Sequence, residues 1–474
     1  MQIQYGTPAA RWVLLATVLG SGMAMLDGTV VNVAVAPIGR DFGAEVSGLQ
    51  WVLTAYLVTL SALLLIGGSL GDRFGRRRVF LVGAAWFTVA SVACAAAPSL
   101  PVLVAARAVQ GVGGALLVPG SLAIIEASFA PDDRGRAIGM WSGLGGVATA
   151  IGPLAGGWLV TAVSWRLIFL LNLPLAVMVA VAARHVPDSR DPSAAPRIDV
   201  AGASLVVVGL AAVAYALIDG PSPGADVAVA AVVGAVGVLA LAGFVLVERR
   251  TRYPMLPLSV FSSRQFTAAN LVTFAVYAAL GGVLFLLAVD LQQVLGYSPL
   301  AAGAALLPIT AIMLALSSRA GALAQRIGPR LPMTVGPLVM AVGLVLMVRI
   351  VPDSPYGADV LPAVVVFALG LASTVAPLTT TVLAAVDAAQ AGLASGVNNA
   401  VARVAGLAAV AVLPPLAGLT GAAYRQPARF SGGFHTAVLV GAGLCAAGAL
   451  CAVAGIRNPP PDRPAGPEPP AGGG

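Results

Sequence analysis

The sequence predicts an all-α integral membrane protein with fourteen transmembrane helices. Hydrophobic residues make up 59% of its 474 positions, and the mean hydropathy is +0.94, far above soluble domains. Charged residues are only 9% of the chain and gather in short connections between long apolar runs. Runs of about 20 apolar residues cross a bilayer as helices, the element that satisfies its backbone groups without water.

In chain order the runs are 12–37, 49–70, 79–98, 101–127, 137–162, 166–184, 200–218, 226–247, 267–294, 300–318, 331–351, 359–385, 393–420 and 433–456. The first is too long for a cleaved leader and contains Asp27. The second leads into Gly68-Ser-Leu-Gly-Asp-Arg-Phe-Gly-Arg-Arg-Arg78. Its arginines hold this connection in the cytoplasm, because positive loops resist translocation. Its glycines permit a tight turn between close helix ends. Asp72 is placed to accept from an arginine or a helix N-terminus.

That orientation puts nineteen arginines on the cytoplasmic side and five outside, with Arg107 and Arg403 inside spans. Every basic residue is an arginine. Both termini are therefore expected in the cytoplasm. The formal charge of +7 reads as membrane topology, not as a nucleic-acid surface. Cys94, Cys445 and Cys451 lie in apolar runs with no metal or disulfide spacing. His185 and His435 are far apart in sequence. No nucleotide-binding loop exists without lysine, and no nucleophile–base set appears, so the expectation is a non-enzyme with no cofactor and no metal.

Gly321-Ala-Leu-Ala-Gln-Arg-Ile-Gly-Pro-Arg330 repeats the frame begun at Gly68. One copy follows the second run and the other the tenth, so two six-helix halves need a two-helix insertion between them. The predicted organisation is a six-helix bundle over 1–185, two inserted helices with linkers over 186–265, a second bundle over 266–457, and a disordered cytoplasmic tail over 458–474. Duplicated bundles with a cleft between them serve alternating access.

These motifs resemble the major facilitator superfamily, and within it the fourteen-span drug–proton antiporters. Gly68 to Phe80 is similar to that family's loop between helices 2 and 3. Arg107, Gln110 and Gly111 resemble its helix 4 motif, and Gly152-Pro-Leu-Ala-Gly-Gly157 its exporter motif in helix 5. Leu26-Asp-Gly-Thr-Val-Val-Asn-Val-Ala34 and Trp165-Arg-x-Ile-Phe-x-x-Asn-x-Pro174 resemble motifs of the fourteen-span branch. Two departures stand out: Ala148 replaces a glycine of the helix 5 motif, and Gln325 replaces the acid at the second copy of the Asp72 position. The resemblance implies a major facilitator fold in the inner membrane of a bacterium. It also implies export of lipophilic compounds, cationic ones and antibiotics among them, in exchange for protons.

Asp27 is the sharpest candidate, since a carboxylate near mid-bilayer costs about 2.5–3.5 kcal/mol on insertion scales. At about 1.5 Å per residue, Asp27 and Arg107 reach similar depths on helices the family fold makes neighbours. They form the predicted proton-coupling pair; the plainer reading is a static pair joining two helices. Asn32, Gln110, Trp141, Asp290, Asn398, Asn399 and Arg403 are predicted to line the substrate cavity, although a solvated mouth would equally explain Asp290. Trp51, Tyr56, Phe274, Tyr277 and Phe285 are further aromatics near it. Gly68, Asp72, Arg73, Gly75 and Arg76, with Gly152, Pro153, Gly156 and Gly157, are the predicted gating elements. Gly143, Gly145 and Gly146 add to the small residues of helix 5. Glu126, Asp132, Asp133, Arg134 and Arg136 are expected to latch onto the Arg73–Arg78 loop, or else to be solvated interface charges. Proton-coupled nutrient uptake by the same fold, and a non-transporting membrane sensor or scaffold, are the rival readings.

Overall fold

The computed structural model describes residues 3–190, 199–222, 224–386, 391–420 and 426–458. Arg197, Arg425, Arg463 and the predicted tail from 459 onward lie outside the described residues. So do the side chains of Asp132 and Ala148 and the surroundings of Gly143 and Gly146.

Fourteen helices run through the described residues. They are α1 (Pro8–Phe42), α2 (Val46–Phe74), α3 (Arg76–Ala95), α4 (Leu100–Ser128) and α5 (Pro131–Ala162). Then come α6 (Leu167–Ala183), α7 (Val200–Ile218), α8 (Val227–Arg250) and α9 (Arg264–Gln293). The last five are α10 (Pro299–Ile327), α11 (Arg330–Arg349), α12 (Tyr356–Ala384), α13 (Ala391–Leu416) and α14 (Pro427–Gly455). Twelve of these are long and apolar enough to cross a membrane by themselves. The other two are α5, 32 residues long, which covers the fifth predicted run, and the shorter apolar α6, which covers the sixth.

Local sequence explains where the helices begin. Thr7, Asp199, Asp226, Ser263 and Ser298 each accept from a backbone N–H of the following first turn, satisfying groups the helix cannot pair internally. Proline occupies the first turns of α1, α4, α5 and α10, where its missing N–H is harmless.

Within α1–α6, α4 packs on α2 and α3, and α1 packs on α5, α6 and α4. Within α9–α14, α9 packs on α14 and α13, and α11 packs on α12 and α14. The helices α7 and α8 pack on each other, and α7 leans on α2 and α13. The two sets meet through α2 against α13 and α5 against α10.

One boundary needs correction. Asn458 was expected to open a disordered tail, but its Oδ1 accepts from Arg330 N at 3.1 Å and its Nδ2 donates to Ile327 O at 3.4 Å. The polar turn at Gly328, with φ of 85°, holds it.

Candidate functional site

A buried polar cluster lies inside α1–α6. Arg107 Nη1 donates to Asp27 Oδ2 at 2.5 Å, and both side chains are only 1% exposed. Gln110 Nε2 donates to the other oxygen, Asp27 Oδ1, at 2.9 Å, and also to Ser91 Oγ at 2.9 Å. Gln110 Oε1 accepts from Arg107 Nη1 at 2.5 Å. Asn172 Nδ2 of α6 donates to Ser91 Oγ at 3.1 Å. Arg107 Nε donates to Val52 O at 3.0 Å, and the guanidinium lies 4.4 Å from the Tyr56 ring centre.

Helix geometry assembles this set. Arg107 and Gln110 are three residues apart on α4 and so share a face. Gly111 lets α4 come close: a Cβ there would strike Tyr56 O and Thr59 Oγ1 of α2. The cluster satisfies both carboxylate oxygens with donors from a single helix. Removing either charge would leave the other buried and unpaired, a loss of about 3–5 kcal/mol.

Around the Gly68 loop, Arg76 Nε and Nη2 both reach Asp72 Oδ1 at 2.8 Å, and Arg76 Nη1 donates to Ala123 O at 3.2 Å. Arg73 is exposed and lies 5.1 Å from the Phe74 ring centre. Gly75 has φ of 110°, which favours glycine. Asp188, beyond α6, accepts from Arg77 N at 3.2 Å and pairs with Arg78 at 3.4 Å. Gly68 packs near Pro119 of α4.

The expected latch is drawn differently. Glu126 does lie within electrostatic range of Arg76. Asp133 and Arg136, however, turn to the N-terminal segment: Asp133 Oδ2 accepts from Tyr5 N at 2.8 Å, and Arg136 sits 4.2 Å from the Tyr5 ring centre. Arg134 Nε donates to Phe129 O. The reason is the Ile3–Phe129 bridge, which lays residues 3–5 over the start of α5.

The α5 motif makes close helix contacts. Gly152 and Gly156 face Thr29 and Val30 of α1, while Gly157 faces Pro299 and Leu300 of α10. A Cβ on Gly303 of α10 would strike the Pro153 carbonyl. Gly145 lies against Met25.

The family model for the Major Facilitator Superfamily matches residues 17–410. The chain belongs to the major facilitator superfamily. It is 37% identical to a puromycin resistance protein of Streptomyces alboniger, over 88% of this chain and 84% of that one. It is 36% identical to a tetracenomycin C resistance and export protein of Streptomyces glaucescens, over 84% and 74%. Among solved structures, a bacterial homologue of the lysosomal transporter Spinster aligns with a TM-score of 0.68 at 18% identity, over 96% of this chain and all of that one. A D-xylose–proton symporter aligns with a TM-score of 0.67 at 16% identity, over 94% and 98%.

Within this superfamily fold, the predicted cavity residues scatter. Gln110 is fully buried in the Asp27 cluster, a correction to its cavity placement that follows from its spacing to Arg107. Asp290 is neither at a solvated mouth nor on an open cavity. It is fully buried, and neither oxygen has a donor among the described residues, since every residue of α9 from Phe285 to Gln292 is buried. Asn32 donates to Gly28 O, and Trp141 Nε1 to Ser21 Oγ at 3.0 Å. Asn398 Nδ2 donates to Thr273 Oγ1 at 2.6 Å, whereas Asn399 is exposed and donates to Ser395 O. Arg403 lies within electrostatic range of both Tyr56 of α2 and Tyr277 of α9. Sequence reasoning missed Ser91, Asn172 and Asp188. Asn172 stands inside a motif already noted, while a lone Ser91 in an apolar run carried no signal.

Proposed function

We propose that this chain exports lipophilic compounds, antibiotics among them, in exchange for protons that enter the cell. The observation that carries the reading is the Asp27–Arg107–Gln110 cluster, a buried carboxylate held at both oxygens inside a helix bundle. A proton arriving on Asp27 cancels the charge that holds Arg107. Arg107 then loses its ion pair beside the Val52 carbonyl and Tyr56, on the helix that meets α13. Arg403, on α13 and near Tyr56, feels the same change. Protonation in one group of helices is thereby communicated to the other.

The moving bodies are 1–185 and 266–457, rocking about the α2–α13 and α5–α10 contacts, with Gly152, Pro153, Gly156 and Gly157 as the close-packed hinge. Both termini face the cytoplasm of a bacterial inner membrane, as the arginine bias requires. Support for export comes from relatives that are named for resistance to, or export of, puromycin and tetracenomycin C.

The test is transport in proteoliposomes. A dye or antibiotic substrate is expected to move uphill when a pH gradient is imposed, and to stop with a protonophore. Asp27→Asn should abolish uphill movement while substrate-for-substrate exchange continues, which separates lost coupling from lost folding. Uphill transport that survives in Asp27→Asn would refute the assignment.

A further inference from the structure

The two inserted helices carry a second acidic site, apart from Asp27. Asp199 caps α7, its Oδ1 accepting from Gly202 N at 2.7 Å. Glu248, near the end of α8, is 3% exposed and its Oε2 accepts from Leu256 N at 3.0 Å. Each carboxyl thus spends one oxygen on backbone. The other two, Asp199 Oδ2 and Glu248 Oε1, are buried with no donor among the described residues.

These orphan oxygens converge. A Cβ at Gly202 would lie 2.5 Å from Asp199 Oδ2 and 3.1 Å from Glu248 Oε1, and the two carboxyls are within hydrogen-bond reach of each other. Two ionised carboxylates in such contact repel strongly away from water. Among the described residues no cation forms an ion pair with either carboxyl. Arg249, Arg250 and Arg252 are exposed, and Asp72, Arg73 and Arg403 of the neighbouring α2 and α13 pair with neither carboxyl among the described residues. A single proton resolves both defects, making one carboxyl the donor and the other the acceptor.

We propose that Asp199 and Glu248 bind one proton between them, forming a proton site at the base of the α7–α8 pair. Its chemistry is simple: a proton adds to one carboxylate oxygen and is hydrogen-bonded to the other, with no other bond changed. While held, it clamps the ends of α7 and α8 together and fixes the Leu256 linker that leads into α9. When it leaves, two like charges face each other and the clamp loosens. The inserted helices therefore act as a proton-responsive brace on α9.

Infrared difference spectroscopy of the full chain in lipid tests this, between neutral and alkaline buffer. The wild type is expected to lose a protonated-carboxyl carbonyl band on alkalinisation. Glu248→Gln and Asp199→Asn, which mimic the protonated acid and keep the backbone bonds, should each remove that same band, while Asp27→Asn leaves it. Exchange of the Leu256 amide should quicken with pH in the wild type beyond its intrinsic rise, and follow only the intrinsic rise in Glu248→Gln. A band unaffected by both substitutions, or two distinct bands each lost in one variant, would overturn the shared proton. None of these readouts depends on transport, so they stand or fall apart from the antiport reading.

Discussion

Gly157 of α5 and Leu300 of α10 meet backbone to backbone: a Cβ on Gly157 would lie 2.7 Å from the Leu300 Cα. The contact joins the two sets of helices at the face opposite the chain termini. It can form only while residue 157 lacks a side chain.

Gly157→Val is therefore expected to hold this face open. Overpacking costs about 1–3 kcal/mol, which shifts a two-state equilibrium roughly 5–150-fold. Labelling of a cysteine introduced at Gln293 by an impermeant reagent should rise while transport falls. Unchanged labelling and unchanged transport together would remove this contact from the gate.

Asp27 and Arg107 should be strongly coupled. Asp27→Asn and Arg107→Gln are each expected to lower stability in detergent by about 3–5 kcal/mol. The double variant should lose less than their combined effect, by an interaction energy on the order of 0.5–3 kcal/mol. Strict additivity would mean that the pair does not act as a unit.

Asp219, just beyond α7, introduces a pH dependence. Burial pushes its carboxyl above the usual range, against the Trp51 indole N–H that donates to Oδ2 at 2.7 Å. A raised folded-state value means that the folded chain binds this proton more tightly than the unfolded one. Its stabilisation is thus complete below the ordinary carboxylate range and is lost as pH climbs through the folded-state value. Melting temperature should fall across that window, and the fall should shrink in Asp219→Asn. An identical slope in the variant would assign the dependence to other groups.

Asp290 should be a stability liability. Its two unpartnered oxygens sit in an apolar surround, and an unsatisfied buried polar group costs about 1–3 kcal/mol. Asp290→Leu is expected to raise the thermal midpoint. If it does so while abolishing transport, the acid is kept for function; a lower midpoint would show that a partner is made in solution.

Gly75→Ala should disturb the loop after α2. The residue has φ of 110°, and a Cβ would come 2.8 Å from Asp188 Oδ1. The backbone penalty alone is roughly 1–2 kcal/mol, and Asp188 must also release Arg77 N. Faster exchange of the Arg77 amide is the readout, and wild-type protection would contradict the geometry.

Much of this was legible in sequence because it is written at short range. Apolar run length marks the helices. Asp27 stands out in sequence because a membrane-depth carboxylate is costly. What stayed hidden depends on which helix faces which. Asp133 and Arg136 read in sequence as partners of the Arg73–Arg78 loop or as solvated charges, whereas in the fold residues 3–5 lie across them. In sequence Asp290 reads equally as a cavity acid or a solvated mouth residue, because its position along α9 is known and its azimuth is not.

Sequence alone therefore determined that the chain is a helical membrane protein with a repeated loop motif and a carboxylate, Asp27, at membrane depth. The driving term, transfer of apolar segments into lipid, is additive along the chain and can be read residue by residue. Only the tertiary structure decided that Gln110, Ser91 and Asn172 complete the Asp27 cluster, and that Asp199 and Glu248 converge across 49 positions. Those outcomes rest on the rotation and close approach of packed helices. Such geometry arises from many contacts at once and is carried by no single stretch of sequence.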